Sequence, residues 1–393
     1  MPSPPSGSPL PAPFRLALFY AATFAVSGVH QPFWPVWLKA HGQGDAAITV
    51  LLSAGVFVRI LSNPFVAHLA DRQGERRRPM LRLAWSSLGV FALFALTQDF
   101  GWLLLLSVLF GCLWAPIIPF GDNLTLLIVH AEKLDYGRIR RWGSISFMLC
   151  TAGAGWIVAR RGADAVLLMV LGCLLLNALI CQLLPDRRVP AAAPAHGAPL
   201  RRLLRTPLFP LFVVGASLLQ ASHAVYYSFF ALHLRRIGFD ESVSGLLWSE
   251  GVVAEILLFS AGGLVRRMNP TGLLLLGAAA GMVRWPLTAG ATSLGLLVPL
   301  QLLHAFTFGA AHLGAMHFLS RAVPPAYSAS AQSLYSALNG VLLALALLGA
   351  GPLYERVGAG AFHAMGAMSF AGGLCCLLVA RRWDGRQIVA EAQ

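Results

Sequence analysis

Pro185–Pro207 reads P-D-R-R-V-P-A-A-A-P-A-H-G-A-P-L-R-R-L-L-R-T-P, the longest polar break in the chain. Its Pro/Ala/Arg composition is that of a flexible linker. On either side lie apolar runs of about 20 residues, the length that crosses a bilayer as a helix. Six precede it, near 14–37, 48–70, 80–98, 102–127, 142–160 and 164–184. Six follow, near 207–232, 243–265, 271–290, 294–318, 331–351 and 359–380. Alternating segments of about ten residues, the mark of an outer-membrane barrel, are absent, and in lipid only helices then satisfy the backbone. The sequence predicts an all-α integral membrane protein of twelve transmembrane helices. Its parts are a tail over 1–13, a six-helix bundle over 14–184, a linker over 185–206, a second six-helix bundle over 207–380 and a tail over 381–393.

Composition agrees. Of 393 residues only 11% are charged while 57% are hydrophobic, against about 25% charged in soluble domains. The formal net charge of +13 would point to nucleic acid in a soluble protein, but the positions of the cations give another meaning. With the N-terminus inside, 21 of the 29 Lys and Arg fall in inner loops and tails, and six fall outside: Lys39, Arg160, Arg161, Arg235, Arg236 and Arg356. Arg59 and Arg284 lie inside spans. The cations therefore set orientation, with both termini cytoplasmic, and no nucleic-acid partner is expected. The first thirteen residues are uncharged and lack the basic region of a cleaved signal. All six cysteines sit in apolar runs without CxxC spacing, which argues against a disulfide framework or a zinc site. No metal or cofactor is expected.

Sliding one half over the other aligns them at a shift of 196. Val29, Phe33, Leu38 and Gly42 fall on Val225, Phe229, Leu234 and Gly238; Leu51, Ser53, Gly55, Val56, Ile60 and Leu61 fall on Leu247, Ser249, Gly251, Val252, Ile256 and Leu257; Gly155, Arg160 and Gly162 fall on Gly351, Arg356 and Gly358. One offset over three separated stretches points to duplication. Because six is even, the halves share an orientation, as parallel repeats about an axis normal to the membrane with a site at their interface.

After the second span, Ala67–Arg77 reads A-H-L-A-D-R-Q-G-E-R-R, similar to the G-x-L-a-D-R-x-G-R-x-x signature of the major facilitator superfamily. Asp71, Arg72 and Gly74 match it, whereas Ala67 replaces the first Gly and Glu75 an Arg. The resemblance covers essentially the whole chain and implies a gating role for this hairpin, with Asp71 placed to accept hydrogen bonds from a neighbouring helix N-terminus. Further stretches resemble the phenylpropionate permease group, relatives of the sugar and nucleoside proton symporters: P-F-W-P-V-W-L-K at Pro32–Lys39, Y-G-R-I-R-R-W-G-S at Tyr136–Ser144, W-S-E-G-V-V-A-E-I at Trp248–Ile256, L-H-A-F-T-F-G at Leu303–Gly309 and L-Y-E-R-V-G at Leu353–Gly358. They specify the subgroup better than the substrate.

Ionisable residues inside spans are costly and mark candidate sites. Glu255 lies mid-span, one turn from Gly251 and two from Trp248; burial favours its neutral form, which suits proton uptake and release, while a structural pairing with Arg284 is the alternative. Glu255 is the repeat mate of Arg59, so opposite charges occupy equivalent positions, where they suit neutralising an anionic substrate or one another; local pairing of each is the alternative, and Arg59 is a candidate substrate-binding residue. Arg284 has the bidentate fork to hold a substrate carboxylate or to lock Glu255. Gln220, His223, Tyr227 and Phe230 share one face of the seventh span, and their mates Phe24, Ser27, Gln31 and Trp34 share one face of the first. Paired polar and aromatic faces suit an amphipathic small molecule; Phe24 is expected to be packing. His304 is a candidate proton relay ahead of His312, Pro116 and Pro119 are expected to bend the fourth span, and Asp122 after them lies either at the inner mouth of a cavity or at the interface with water.

No Walker A, HExxH or GxSxG context is present, which leaves ATP-driven transport and hydrolysis unsupported. The leading expectation is a proton-coupled secondary transporter of a small organic solute, such as an aromatic carboxylate or a nucleoside- or sugar-like compound, in a bacterial inner membrane and monomeric. Import is what the permease resemblance implies. A proton-driven exporter is the alternative within the class, and a membrane enzyme or sensor the alternative outside it; the latter requires loops or domains larger than any in this chain.

Overall fold

A helix satisfies its own backbone donors and acceptors, so an apolar chain with short polar breaks becomes a bundle. The structure, a computed structural model, describes residues 10–73, 77–185, 200–261 and 268–388. Among them all regular structure is helical. The first series comprises α1 (Ala12–Ala40), α2 (Asp45–Gln73), α3 (Arg77–Ala92), α4 (Phe100–Trp114), α5 (Ile117–Glu132), α6 (Tyr136–Arg161) and α7 (Asp164–Leu183). After a short helix, α8 (Leu200–Arg205), come α9 (Leu208–Ala221), α10 (Ala224–Arg236), α11 (Glu241–Ser260), α12 (Pro270–Gly290), α13 (Leu294–Leu302), α14 (Ala311–Ala322), α15 (Pro325–Val357) and α16 (Ala361–Arg382).

Among the described residues eleven stretches are long and apolar enough to cross a membrane, and the last, Ser330–Arg382, holds two helices, α15 and α16, broken at Gly358–Gly360. Three spans are interrupted. The fourth breaks between Trp114 and Ile117, where Pro116 cannot donate to the ladder. The seventh breaks at Ser222–His223, and the tenth contains a π-helical segment over Ala305–Ala310, a form often found at functional sites. Polar caps set several helix starts: Asp99, Asp135, Asp240 and Asn269 accept backbone N–H bonds from the following turn. Gly42 and Gly238, repeat mates, end α1 and α10 at φ of +81° and +95°, where a side chain would be strained.

Contacts between the halves follow the repeat. α6 crosses α11 and α2 crosses α15, each crossing passing over a glycine. A Cβ added at Gly155 would strike the Glu241 carbonyl, and one at Gly351 the Asp45 carbonyl; Gly155 and Gly351 are mates, as are Asp45 and Glu241. The ion pairs beside these crossings repeat too. Lys39 Nζ meets Asp45 at 2.7 Å, and the mates Arg235 and Glu241 pair at 3.6 Å. Asp45 also takes Arg236 of the other half at 3.2 Å, and Glu355 accepts from the Ala46 N–H at 2.9 Å. The end bearing the 41–44 and 237–240 turns is thus clasped across the halves.

Residues 186–199 lie outside the described residues, but α8 makes the end of the expected linker helical, with Leu203 wholly buried. Past α16, Trp383 packs on Phe318 at 4.8 Å and the Ile388 N–H donates to the Ala322 carbonyl. Of the signature after the second span, Gly74 lies outside the described residues, as do the side chains of Asp71 and Arg72.

Candidate functional site

A cavity of about 380 Å³ is lined mainly by α1, α2, α4 and α6, and by α10 and α15 from the second series. On α1 an unbroken helical face brings Phe24, Ser27, Gln31 and Trp34 all to its wall; Phe24, expected as packing, therefore lines it. Trp34 anchors an aromatic ladder: its indole stacks on Trp37 at 4.5 Å and 4°, with Phe91 at 4.9 Å and Phe94 edge-on at 5.0 Å. Arg59 of α2 lines the cavity from the other side. It is exposed, and among the described residues it has no hydrogen-bond or ion-pair partner. Among the described residues no Asp or Glu lines it.

Sequence reasoning missed His30. It lines the cavity one helical turn before Trp34 and stacks on that indole at 5.4 Å and 19°. Its signal was available: it adjoins Gln31 and precedes Trp34 by four residues.

From the second series, Tyr227 reaches the cavity wall. Behind it lies a buried polar core. Arg284 of α12 is wholly buried, and its guanidinium lies over the rings of Trp285 at 4.5 Å and Tyr226 at 4.8 Å. It donates to Gln301 Oε1 at 2.8 Å, Thr307 Oγ1 at 2.9 Å and His304 Nδ1 at 3.1 Å. A guanidinium only donates, so Nδ1 of His304 is the acceptor and its proton sits on Nε2. Thr307, accepting from Arg284, gives its own hydrogen to His223 Nε2 at 3.2 Å, and His223 Nδ1 donates to the Gln220 carbonyl at 3.1 Å. The chain runs Arg284, Thr307, His223, Gln220 in one direction, with both tautomers fixed. The Gln220 amide donates to the Phe308 carbonyl at 3.4 Å.

Trp248 stacks on Tyr226 at 4.6 Å, and its indole N–H has no partner among the described residues. Phe230 is buried against Tyr226 at 4.7 Å and does not line the cavity. Glu255 is not brought to Arg284. It is half-buried, with its Cγ against Gly309 of the π segment, and forms no hydrogen bond or ion pair with a described residue. Asp122 is likewise off the cavity wall: it accepts from Tyr20 at 2.6 Å and Tyr136 at 3.0 Å, and faces Arg140 at 3.7 Å. Arg140 lies 4.2 Å over the Phe24 ring, so this pair adjoins the cavity. By its loop position Arg140 counts only as an orienting cation; its place in the Tyr136–Ser144 stretch was the clue to more.

Comparison with known proteins adds lineage to this geometry. The MFS_1 like family matches residues 14–363. The chain is 32% identical over 360 residues to the probable 3-phenylpropionic acid transporter of Escherichia coli K12, covering 89% of this chain and 93% of that one. It is 29% identical over 376 residues to the maltose permease of Geobacillus stearothermophilus, covering 93% and 94%. Its fold superposes on the crystal structure of a mutant of the nucleoside transporter NupG with a TM-score of 0.84 at 15% identity, over 94% of this chain and all of that one.

Proposed function

From the premise that this chain belongs to the MFS_1 like family of multi-pass membrane transporters, we propose that it is a monomeric secondary carrier importing a small aromatic carboxylate together with protons across a bacterial inner membrane. The two six-helix bundles, 14–184 and 207–380, rock about the cavity between them, with both termini in the cytoplasm and the Asp71–Gly74 hairpin gating the inner side. The observation that carries the substrate class is the cavity wall: among the described residues it has aromatic rings around Trp34, one cation in Arg59, and no acid. An unpaired guanidinium facing an open space is completed by a carboxylate through charge-assisted bonds, and stacked rings accept an aromatic body. The name of the Escherichia coli relative agrees with that class.

Gln31 and Tyr227 supply hydrogen bonds that orient the solute. Glu255, half-buried and without a bonding partner among the described residues, is the group assigned to proton handling during the cycle. His304 and Arg284, tied to each other, hold the second half in register with it.

Arg59→Gln tests the substrate class. Binding of 3-phenylpropionate, followed by calorimetry on the purified protein, should weaken by about 30- to 150-fold, the loss of roughly 2–3 kcal/mol expected for a charge-assisted contact. Binding of its neutral amide should hardly change; equal losses for acid and amide would remove Arg59 from carboxylate recognition. Glu255→Gln tests coupling. In proteoliposomes the variant should still bind solute while failing to accumulate it under an imposed pH gradient, and uphill uptake would take the coupling role from Glu255.

A further inference from the structure

The cavity holds a titratable group that the reading above leaves unused. His30 stacks its imidazole on Trp34, with Phe110 at 5.6 Å and Phe91 at 5.9 Å around it. Neither ring nitrogen has a hydrogen-bond partner among the described residues. The contrast with the second half is sharp, because both His223 and His304 there have their protons fixed by neighbours. Nor are His30's nitrogens among the buried atoms that lack a partner. His30 and Arg59 line the same cavity.

We infer that His30 is a second anchor for the substrate carboxylate in the cavity that Arg59 also lines, and that it takes up a proton as the anion arrives. This rests on the proposed reading of the cavity as an anion site. A carboxylate next to an imidazole favours the imidazolium, which donates a charge-assisted hydrogen bond that a neutral ring makes more weakly. Stacking on the Trp34 face favours the cationic form further. The balance is simple: the neutral ring binds one proton from the aqueous phase at a free ring nitrogen, and the resulting cation offsets the anion. The carboxylate thus enters as a neutral ensemble with its proton, while Arg59 keeps its charge throughout. The other groups facing His30 do not compete for that proton. Arg59 of α2, a like charge that keeps its own proton, and Tyr227 of α10 line the same cavity, whereas α3 and α4 present Phe91 and Phe110 and α6 contributes Phe147.

The sign follows from linkage. A group that gains protons on binding strengthens binding at low pH and loses that contribution as pH rises. For the full-length protein in detergent, the Kd for 3-phenylpropionate should rise with pH on the alkaline side of the imidazole titration, with a slope approaching tenfold per pH unit. His30→Gln should weaken binding by about tenfold at pH 6, the size of one charge-assisted contact, and flatten the slope. His30→Phe, which keeps a ring on Trp34, should flatten it equally, and guards against a folding defect in the Gln variant. A slope that survives in both variants, or that is absent from the wild-type protein while the acid is still preferred over the amide, overturns the inference. Equal affinity for acid and amide at every pH is a different failure, since it removes the anion site itself.

Discussion

Phe24, Ser27, Gln31 and Trp34 occupy the same four positions of the repeat as Gln220, His223, Tyr227 and Phe230, yet the two sets have different fates. All four of the first line the cavity; of the second only Tyr227 does. The cause is local. α1 runs unbroken for 29 residues with Pro32 and Pro35 inside it, so its face points one way throughout. The equivalent span stops at Ala221 and restarts at Ala224, which turns Gln220 and His223 into the core of the second half and leaves Phe230 packed on Tyr226. Duplication therefore copied the fold while a two-residue break divided the labour. One half presents loose polar groups to the cavity and the other ties its own into a hydrogen-bond chain.

The two intramembrane arginines give that contrast its strongest test. Arg284→Lys keeps the charge but gives up the planar fork that reaches Gln301, Thr307 and His304. A flexible ammonium on a different stem does not reproduce that geometry, and each lost charge-assisted bond is worth about 1.5–3 kcal/mol, so stability should fall by on the order of 3 kcal/mol. Arg59→Lys, which gives up no partner among the described residues, should leave stability within about 0.5 kcal/mol. Thermal unfolding of both variants in the same detergent, without solute, makes the measurement. Equal destabilisation would mean that Arg59 is as embedded as Arg284 and that the halves are not divided as described.

Much of this was legible in the chain because the bilayer permits so little else. Twelve apolar runs and the offset of 196 lead to the helices, and the crossings at Gly155 and Gly351 fall where the offset aligns them. Because a continuous helix keeps its 3.6-residue phase, Ser27, Gln31 and Trp34 were legible on the α1 wall of the cavity as well, though His30 and Phe24 were not. What else was not legible lies beyond breaks in that phase. The neighbours of Arg284, which are Gln301, His304 and Thr307 in place of Glu255, straddle the start of the π segment at Ala305–Ala310, and so do not follow from a single helical spacing. Asp122 shows the same limit. The Pro116 break precedes it, and its partners Tyr20, Tyr136 and Arg140 come from other helices.

The smallest expected effect separates the last pair of mates, Trp34 and Phe230. Trp34→Phe keeps a ring in the ladder but narrows the face offered to the solute. An aromatic pair contributes about 0.5–1.5 kcal/mol beyond its buried area, so the affinity for 3-phenylpropionate should drop about three- to tenfold. Its saturated counterpart, 3-cyclohexylpropionate, carries the same carboxylate on a non-aromatic ring and should lose less. If both ligands weaken alike, Trp34 acts through shape and not through its π face. Phe230→Leu removes a ring that touches Tyr226 and not the cavity; it should leave both affinities unchanged and appear only as about 1 kcal/mol of lost stability. A change in ligand affinity there, with the fold intact, would place Phe230 back on the solute-facing surface and erase the difference between the two faces.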